Sequence, residues 1–372
     1  MDPTINFLET DDDEYLRFNL SNTNVSLANA IRRTILSDIP IIVFRTTPYE
    51  KNNATIHVNT TRMNNEIIKQ RLSCVPIHIS DIRFPIEKFQ LEIDKSNVTD
   101  TMQYVTTQDF KIKDTTTGVF LSESDMRQIF PPDTITGDYI EFVRLRPRIS
   151  DEIAGEHLKL SCKFAFGTAE EDSAFNITST CAYAATPDEK KQDEAWALKE
   201  KTLKEKTLTD EELAFEKKNW HLLDAKRIFI PDSFDFVIKT IGQLSNKNII
   251  FRACDIIIHR LEKLKQKIKN DYESLIEVSA TTIENGFDIL LHHEGYTIGT
   301  MIEYILYASY YEKQIFTYCG FQKPHPHIDL CKIRIGLKES VTDKIIVATY
   351  ILNAADAAIK VYEKIGENFK ED

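Results

Sequence analysis

The sequence predicts an α+β protein in which two related strand, turn and helix modules share one chain around a helical pseudo-two-fold interface, with a mainly β segment between them. Three observations predict it: an amphipathic block at residues 22–40, a second copy of its pattern at residues 297–306, and two long helical seams of matching period.

The block from Asn22 to Pro40 reads as one helix with both ends marked. Asn24 or Ser26 can accept a hydrogen bond from a first-turn amide, and Pro40 cannot continue the backbone ladder. Leu27, Ala30, Ile31, Thr34 and Ile35 recur at helical spacing as one apolar stripe, with Arg32 and Arg33 on its flank. An arginine pair beside an apolar stripe points to a partner-facing helix.

The second copy runs from Thr297 to Leu306. Aligned on Ser26 and Thr297, the two copies match in cap residue, in a small third position (Ala28, Gly299) and in apolar spacing, which places Ile298, Ile302 and Ile305 on the second stripe. An alternating run precedes each copy, Leu16, Phe18 and Leu20 in one case and Phe287, Ile289 and Leu291 in the other, so the repeated unit begins with a strand.

Ile250, Cys254, Ile257, Leu261, Leu264 and Ile268 alternate spacings of four and three, which makes a heptad-like seam. Ile345, Ala348, Leu352, Ala355, Ile359 and Tyr362 make a second, opened by a capping box of Ser340 and Asp343. Narrow stripes of this kind bury against other helices. The internal interface expected from them holds Leu27, Ile31, Ile35, Ile257, Leu261, Leu264, Ile298, Ile302, Ile305, Leu352 and Ile359.

Between the copies, Ile41 to Phe44 is a short strand and Thr46-Thr47-Pro48 marks a crossing. Asn65 to Arg71 is helix-like. Residues 90–146 mix alternating segments with turn clusters, a pattern of strands and loops. Leu158, Leu160, Cys162 and Phe164 alternate with polar residues as a half-buried strand that returns the chain to its first domain. Residues 187–218 are dominated by Lys and Glu and predict a solvated helix or a partly disordered insertion, with Trp196 and Phe215 as possible partner anchors.

Several blocks carry a resemblance. NTNVSLANAIRRTILSDIP (22–40), TRMNNEIIKQRLSCVPIHI (61–79) and PDSFDFVIKTIGQLSNKNII (231–250) resemble the alpha-type, third-largest subunit of cellular RNA polymerases. Residues 286–337, with HHEGYTIGTMIEYIL (292–306) and GFQKPHPHIDLCKIRI (320–335), resemble the small eleventh subunit of RNA polymerase II. One chain carrying both resembles the arrangement of large cytoplasmic DNA viruses. The resemblance implies an alpha-like dimerisation domain at 1–46 and 157–270, interrupted by the charged insertion at about 187–218, an insertion domain at 47–156, and an eleventh-subunit-like domain at 271–372.

It further implies a non-catalytic assembly platform of a DNA-dependent RNA polymerase. Such a platform recruits the second-largest and largest subunits and meets small zinc-binding subunits similar to the tenth and twelfth, without direct sequence-specific DNA contact. Arg32 and Arg33 lie where the family contacts the second-largest subunit, although a helix flank can also carry arginines for solubility alone. The corner at Leu72 to Ile77 is buried in the family, and Cys74 there is expected to be a packed thiol. The segment from Gly167 to Asn176 departs from the family's pattern, with Ala169 for a glycine, Asp172 for a histidine and Ala174 for a lysine, so its pairing with a partner is expected to differ. Viral origin implies the host cytoplasm, its viral factory and the virion; cellular origin implies the nucleus.

Composition sets bounds beside these readings. With 372 residues, 42% of them hydrophobic, the chain can bury two or three ordinary cores. A net charge of −12 argues against wrapping nucleic acid over much of the surface. Six cysteines at 74, 162, 181, 254, 319 and 331 form no Cys-x-x-Cys pair, and a reducing compartment fits them. No cofactor or metal is expected: His292-His293-Glu294 and the His325 and His327 pair lack a third ligand at metal spacing, and Asp11-Asp12-Asp13-Glu14 reads as a solvated charge run. Neither a secretion signal nor a membrane span is expected. The rival readings are an enzyme, for which no nucleophile elbow, phosphate loop or zinc motif occurs, and a stand-alone nucleic-acid-binding or interaction module.

Overall fold

The computed structural model describes residues 2–9, 14–150, 152, 154–205 and 209–371. The charge run at Asp11, Asp12 and Asp13 lies outside the described residues. Strands β1 (Thr4–Phe7) and β2 (Tyr15–Ser21) lead into helix α1 (Val25–Ser37) and β3 (Ile41–Val43). Next come β4 (Ala54–Asn59), α2 (Asn65–Ser73), β5 (Phe89–Ser96), β6 (Gln103–Thr106), β7 (Lys111–Asp114) and α3 (Glu123–Ile129). Strands β8 (Glu141–Leu145), β9 (His157–Lys163), β10 (Ala165–Gly167) and β11 (Thr178–Pro187) precede α4 (Glu189–Lys204), α5 (Asp210–Leu222), β12 (Phe229–Thr240) and α6 (Asn246–Leu275). The rest is β13 (Ile276–Val278), β14 (Gly286–His292), α7 (Tyr296–Leu306), a π-helical turn at Tyr307–Tyr311, β15 (Phe316–Gln322), β16 (Leu330–Leu337) and α8 (Lys344–Glu367). The class is mixed α and β.

The chain forms two compact units. One comprises Met1–Thr34, Thr180–Lys239 and Asn246–Asp372; the other comprises Ile35–Ser179 and Thr240–Ser245.

In the first unit two four-stranded sheets have the orders β1-β2-β12-β11 and β13-β14-β16-β15. The orders correspond: a hairpin supplies an edge strand and its neighbour, a helix follows, and the strand leading into a long helix lies third. Alternation decides which residues face inward. Phe18 and Leu20 of β2 are fully buried, and Phe18 stacks on Phe236 of β12 at 5.0 Å. Ile289 and Leu291 of β14 and Ile333 and Ile335 of β16 do the same in the second sheet.

The second unit is built on the sheet β4-β9-β5-β7, with the small pairs β6-β8 and β3-β10. Its core includes Leu72, Leu91, Phe110, Phe142 and Leu160, with Phe110 edge-on to Phe142 at 5.4 Å. The alternation of Leu158, Leu160, Cys162 and Phe164 is observed as burial, but β9 lies between β4 and β5 in this sheet and does not return the chain to the β1-β2 sheet. A second correction concerns Cys74, which is exposed: as the residue after α2 it turns outward while Leu72 and Val75 take the interior.

The Lys- and Glu-rich stretch also differs from expectation. It forms two helices, α4 and α5, and Trp196 packs on Trp220 with ring centroids 5.6 Å apart, both nearly buried, over Ala225. Trp196 is therefore an internal anchor, whereas Phe215 is exposed. Asp188 and Thr209 cap the two helices, and Thr209 with Glu212 completes a capping box.

Candidate functional site

The two long seams meet. Helices α6 and α8 run antiparallel, since Lys344 at the start of α8 reaches the Glu273 carbonyl at 2.7 Å, Lys265 pairs with Asp356 at 2.6 Å, and Gly366 at the far end of α8 lies against Cys254. Ala348, Ala354, Ala355 and Ala358 are buried on α8, and these small side chains allow close helix approach. On α6, Ile257, Leu261 and Leu264 are buried with the rest of its seam.

The α8 stripe departs from its predicted register. Ile345 is 48% exposed and Leu352 is half-buried, while Val347, Ile351 and Val361 are buried with Ile359 and Tyr362. The buried face is broader than a strict heptad because α8 packs on α7 as well as on α6. Its cap is Asp343 alone, accepting from the Ile345 amide, so Ser340 does not take the predicted place. By length and composition α8 is apolar enough to cross a membrane, but half of that apolar stretch is buried inside the protein.

The short helices lie at the same centre. Leu27 and Ile31 of α1, Ile35 at its end, and Ile298, Ile302 and Ile305 of α7 are all buried. Tyr362 donates its hydroxyl to the Leu27 carbonyl at 3.1 Å, and burial raises its pKa well above the ordinary tyrosine value. The cap correspondence fails: Asn24 accepts from the Ser26 amide in the first copy, whereas Gly295 precedes α7 without a side-chain cap. Thr297 instead accepts a hydrogen bond from Arg33 Nε at 2.9 Å, which ties the flank of α1 to the first turn of α7.

Arg32 is half-buried and donates from Nε and Nη2 to Asn29 Oδ1 at 3.0 and 2.8 Å; Arg33 is exposed. Burial raises the pKa values of Cys181 and Tyr183 of β11, that of Cys181 to about 12, and the charge of Arg32 opposes the rise in both. In the alignment of the copies Glu303 matches Arg32. Its neighbourhood also holds a cysteine of an edge strand, since Cys319 of β15 donates its thiol to the Glu303 backbone carbonyl at 3.7 Å. Burial and then Glu303 push Cys319 up to about 12. Gly299, which matches Ala28, allows this fit: a Cβ there would stand 1.9 Å from the Phe321 ring.

In the repeat Glu303-Tyr304 stand opposite Arg32-Arg33, so the pseudo-symmetry breaks there, and Arg32 to Glu303 is the one charged position whose sign inverts. Among the described residues no group of three or more His, Cys, Asp or Glu is placed to hold a metal ion. His293 pairs with Asp329, and the rings of His325 and His327 lie 5.0 Å apart. The acidic segment after β10 is engaged internally, with Glu171 2.7 Å from Arg45, whose guanidinium holds the Glu171 carboxyl below its usual range.

Comparison with known proteins agrees with this geometry. The model of the RNA polymerase Rpb3/Rpb11 dimerisation domain matches residues 17–261. A protein of Acanthamoeba polyphaga mimivirus named as DNA-directed RNA polymerase subunit R470 is 22% identical, with 98% of this chain and 93% of that protein aligned. Subunit 3B of the DNA-directed RNA polymerases IV and V of Arabidopsis thaliana is 39% identical over 75 residues, 20% of this chain and 21% of that subunit. Subunit Rpo3 of the Pyrococcus furiosus polymerase is 32% identical over 95 residues, 26% of this chain and 33% of that protein. The alignment with the plant subunit thus spans about a fifth of its length. This chain belongs to the RNA polymerase Rpb3/Rpb11 dimerisation-domain family.

Proposed function

We propose that the chain is the assembly platform of a DNA-dependent RNA polymerase, without an active site of its own, and that it fuses an alpha-like module with an eleventh-subunit-like module. The observation that carries this reading is the pairing of α6 with α8 beneath two sheets of corresponding strand order, which is the arrangement two dimerising subunits need, within one chain. Fusion makes the pairing intramolecular, at an effective concentration on the order of mM, so the platform forms without a concentration threshold. In this reading the alpha-like module is interrupted by an insertion that includes the β4-β9-β5-β7 sheet, and the second module begins near 271.

Arg32 and Arg33 recruit the second-largest subunit, and with it the largest, because guanidinium groups suit bidentate pairing with carboxylates. Small zinc-binding subunits similar to the tenth and twelfth complete the surroundings, and DNA is not contacted sequence-specifically. The full-length similarity to a mimivirus protein supports a viral setting, with the host cytoplasm and the virion as its locations. Affinity purification of the tagged chain from its native source tests the reading: two very large polymerase subunits should co-purify, and their absence under gentle salt would overturn it.

A further inference from the structure

We propose that the edge formed by α7 and β15 around Glu303 docks a protein partner that presents an arginine or lysine side chain, as the charge-inverted counterpart of the Arg32 edge. The proposal rests on the platform reading for its setting and on four features of this edge for its chemistry.

Arg32 and Glu303 occupy corresponding helix positions, and the charge of each acts on a cysteine of an edge strand, Cys181 on β11 and Cys319 on β15, whose thiol also reaches the Glu303 backbone carbonyl. The two edges are thus alike in backbone and opposite in charge.

Glu303 is also unsatisfied. Its carboxylate is half-buried and makes no hydrogen bond or ion pair among the described residues, and burial alone raises its pKa. A half-buried carboxylate without a counter-charge costs stability, so it contributes nothing to the fold that glutamine would not. A cation from outside recovers that cost, and the recovery is larger in a desolvated contact than on an open surface.

The neighbourhood favours the same occupant. Asp232 and Glu312 add negative charge near Tyr304, the residue that follows. One turn beyond Glu303, Tyr307 stacks on Tyr311 at 4.7 Å, and both residues are exposed, which offers an aromatic surface to a guanidinium.

The arrangement also explains orientation. A partner surface that presents carboxylates to Arg32 is repelled by Glu303, so two edges of similar shape are not confused.

The test uses the tagged full-length chain purified with its native complex. Glu303→Arg installs the residue of the first copy at an unpaired position, and the isolated chain should melt as wild type does. The variant should lose one co-purifying subunit by about tenfold or more, with the others retained, and Glu303→Gln should lose the same subunit partially in a salt-dependent way. A photo-crosslinker at Tyr307 identifies the contacting peptide, and reversing its Arg or Lys to Glu should restore binding to Glu303→Arg. Retention of every subunit by folded Glu303→Arg, or by Glu303→Gln should the first not fold, overturns the proposal. Normal capture of the second-largest subunit by Arg32→Ala, Arg33→Ala overturns the assigned recruitment instead and leaves a loss caused by Glu303→Arg standing.

Discussion

The hydroxyl of Tyr362, near the end of α8, donates to the carbonyl of Leu27 in the first turn of α1, joining residues 335 positions apart in a fully buried contact. The Leu27 carbonyl lies within a helix and can accept a second hydrogen bond with its other lone pair. Phe369, just beyond α8, packs edge-on to Phe18 of β2 at 5.0 Å, so the end of the chain completes the core beneath its first sheet.

Tyr362→Phe therefore keeps the ring and removes one buried hydrogen bond. The expected cost is about 1 kcal/mol, because the Leu27 carbonyl keeps its helical partner. Tyr362→Ala adds a cavity and should cost roughly 3–5 kcal/mol. Urea unfolding of both variants checks the pair: no loss for Tyr362→Phe beside a large loss for Tyr362→Ala would show that packing alone does the joining, and equal losses would assign it to the hydrogen bond.

Ile31 is fully buried in α1. Ile31→Asp removes an apolar side chain worth roughly 1.5–3 kcal/mol and buries a carboxylate, so several kcal/mol should be lost. Soluble protein with an unchanged melting temperature would remove α1 from the core.

Trp196 and Trp220 make the hairpin of α4 and α5 a small core of its own. Trp196→Ala should cost roughly 3 kcal/mol within the hairpin. Because stability is not uniform, amide exchange should accelerate in α4 and α5 while α6 and α8 keep their protection. Equal acceleration everywhere would show that the hairpin unfolds only with the rest.

The legible parts of the sequence were those where one period dominates. The spacing of Ile257, Leu261 and Leu264 announced α6, and the alternation through Leu158 and Leu160 announced β9. Where β9 pairs was not legible, because alternation fixes a strand's faces and says nothing of its neighbours. Trp196 and Trp220 lie 24 positions apart among Lys and Glu, on two separate helices, and their contact is tertiary, so composition read that stretch as solvated. Thr297 matched Ser26 in type, yet neither is the cap, since Asn24 and the backbone at Gly295 take those places. The burial of Ile31, Ile257 and Ile302 followed from pattern and that of Leu352 did not, while Arg33 meeting Thr297 and the lack of a partner for the Glu303 carboxylate among the described residues are tertiary facts.

Asp288 of β14 is buried and bound by Arg334 at 2.5 and 2.6 Å and by Lys332 at 3.2 Å. The hydrogen bond from Arg334 is the largest influence holding its pKa below the ordinary carboxylate value. A depressed folded pKa means that the stabilisation is present above the unfolded value near 4 and is lost as pH falls through the folded value. Asp288→Asn should lose roughly 1.5–3 kcal/mol at pH 7, and the gap to wild type should close below about pH 4. A gap that is constant with pH would mean that the charge of Asp288 is not what stabilises the sheet.

The last prediction separates recruitment from folding. Arg33 donates to Thr297 at an exposed site, and among the described residues Arg32 donates to Asn29 of its own helix, so replacing both with Ala should cost the fold about 1 kcal/mol. If they pair with carboxylates of the second-largest subunit in a buried contact, the same change should weaken capture by roughly 2–5 kcal/mol. Circular dichroism reads the first effect, and a pull-down of that subunit at moderate salt reads the second. Thr297→Val is the control, since it removes the acceptor of Arg33 and leaves both charges in place. Weak capture by the arginine variant with normal capture by Thr297→Val assigns recruitment to the guanidinium charges. Weak capture by both would place the effect in the Arg33 to Thr297 link, and normal capture by a folded double variant would leave these arginines as surface charges.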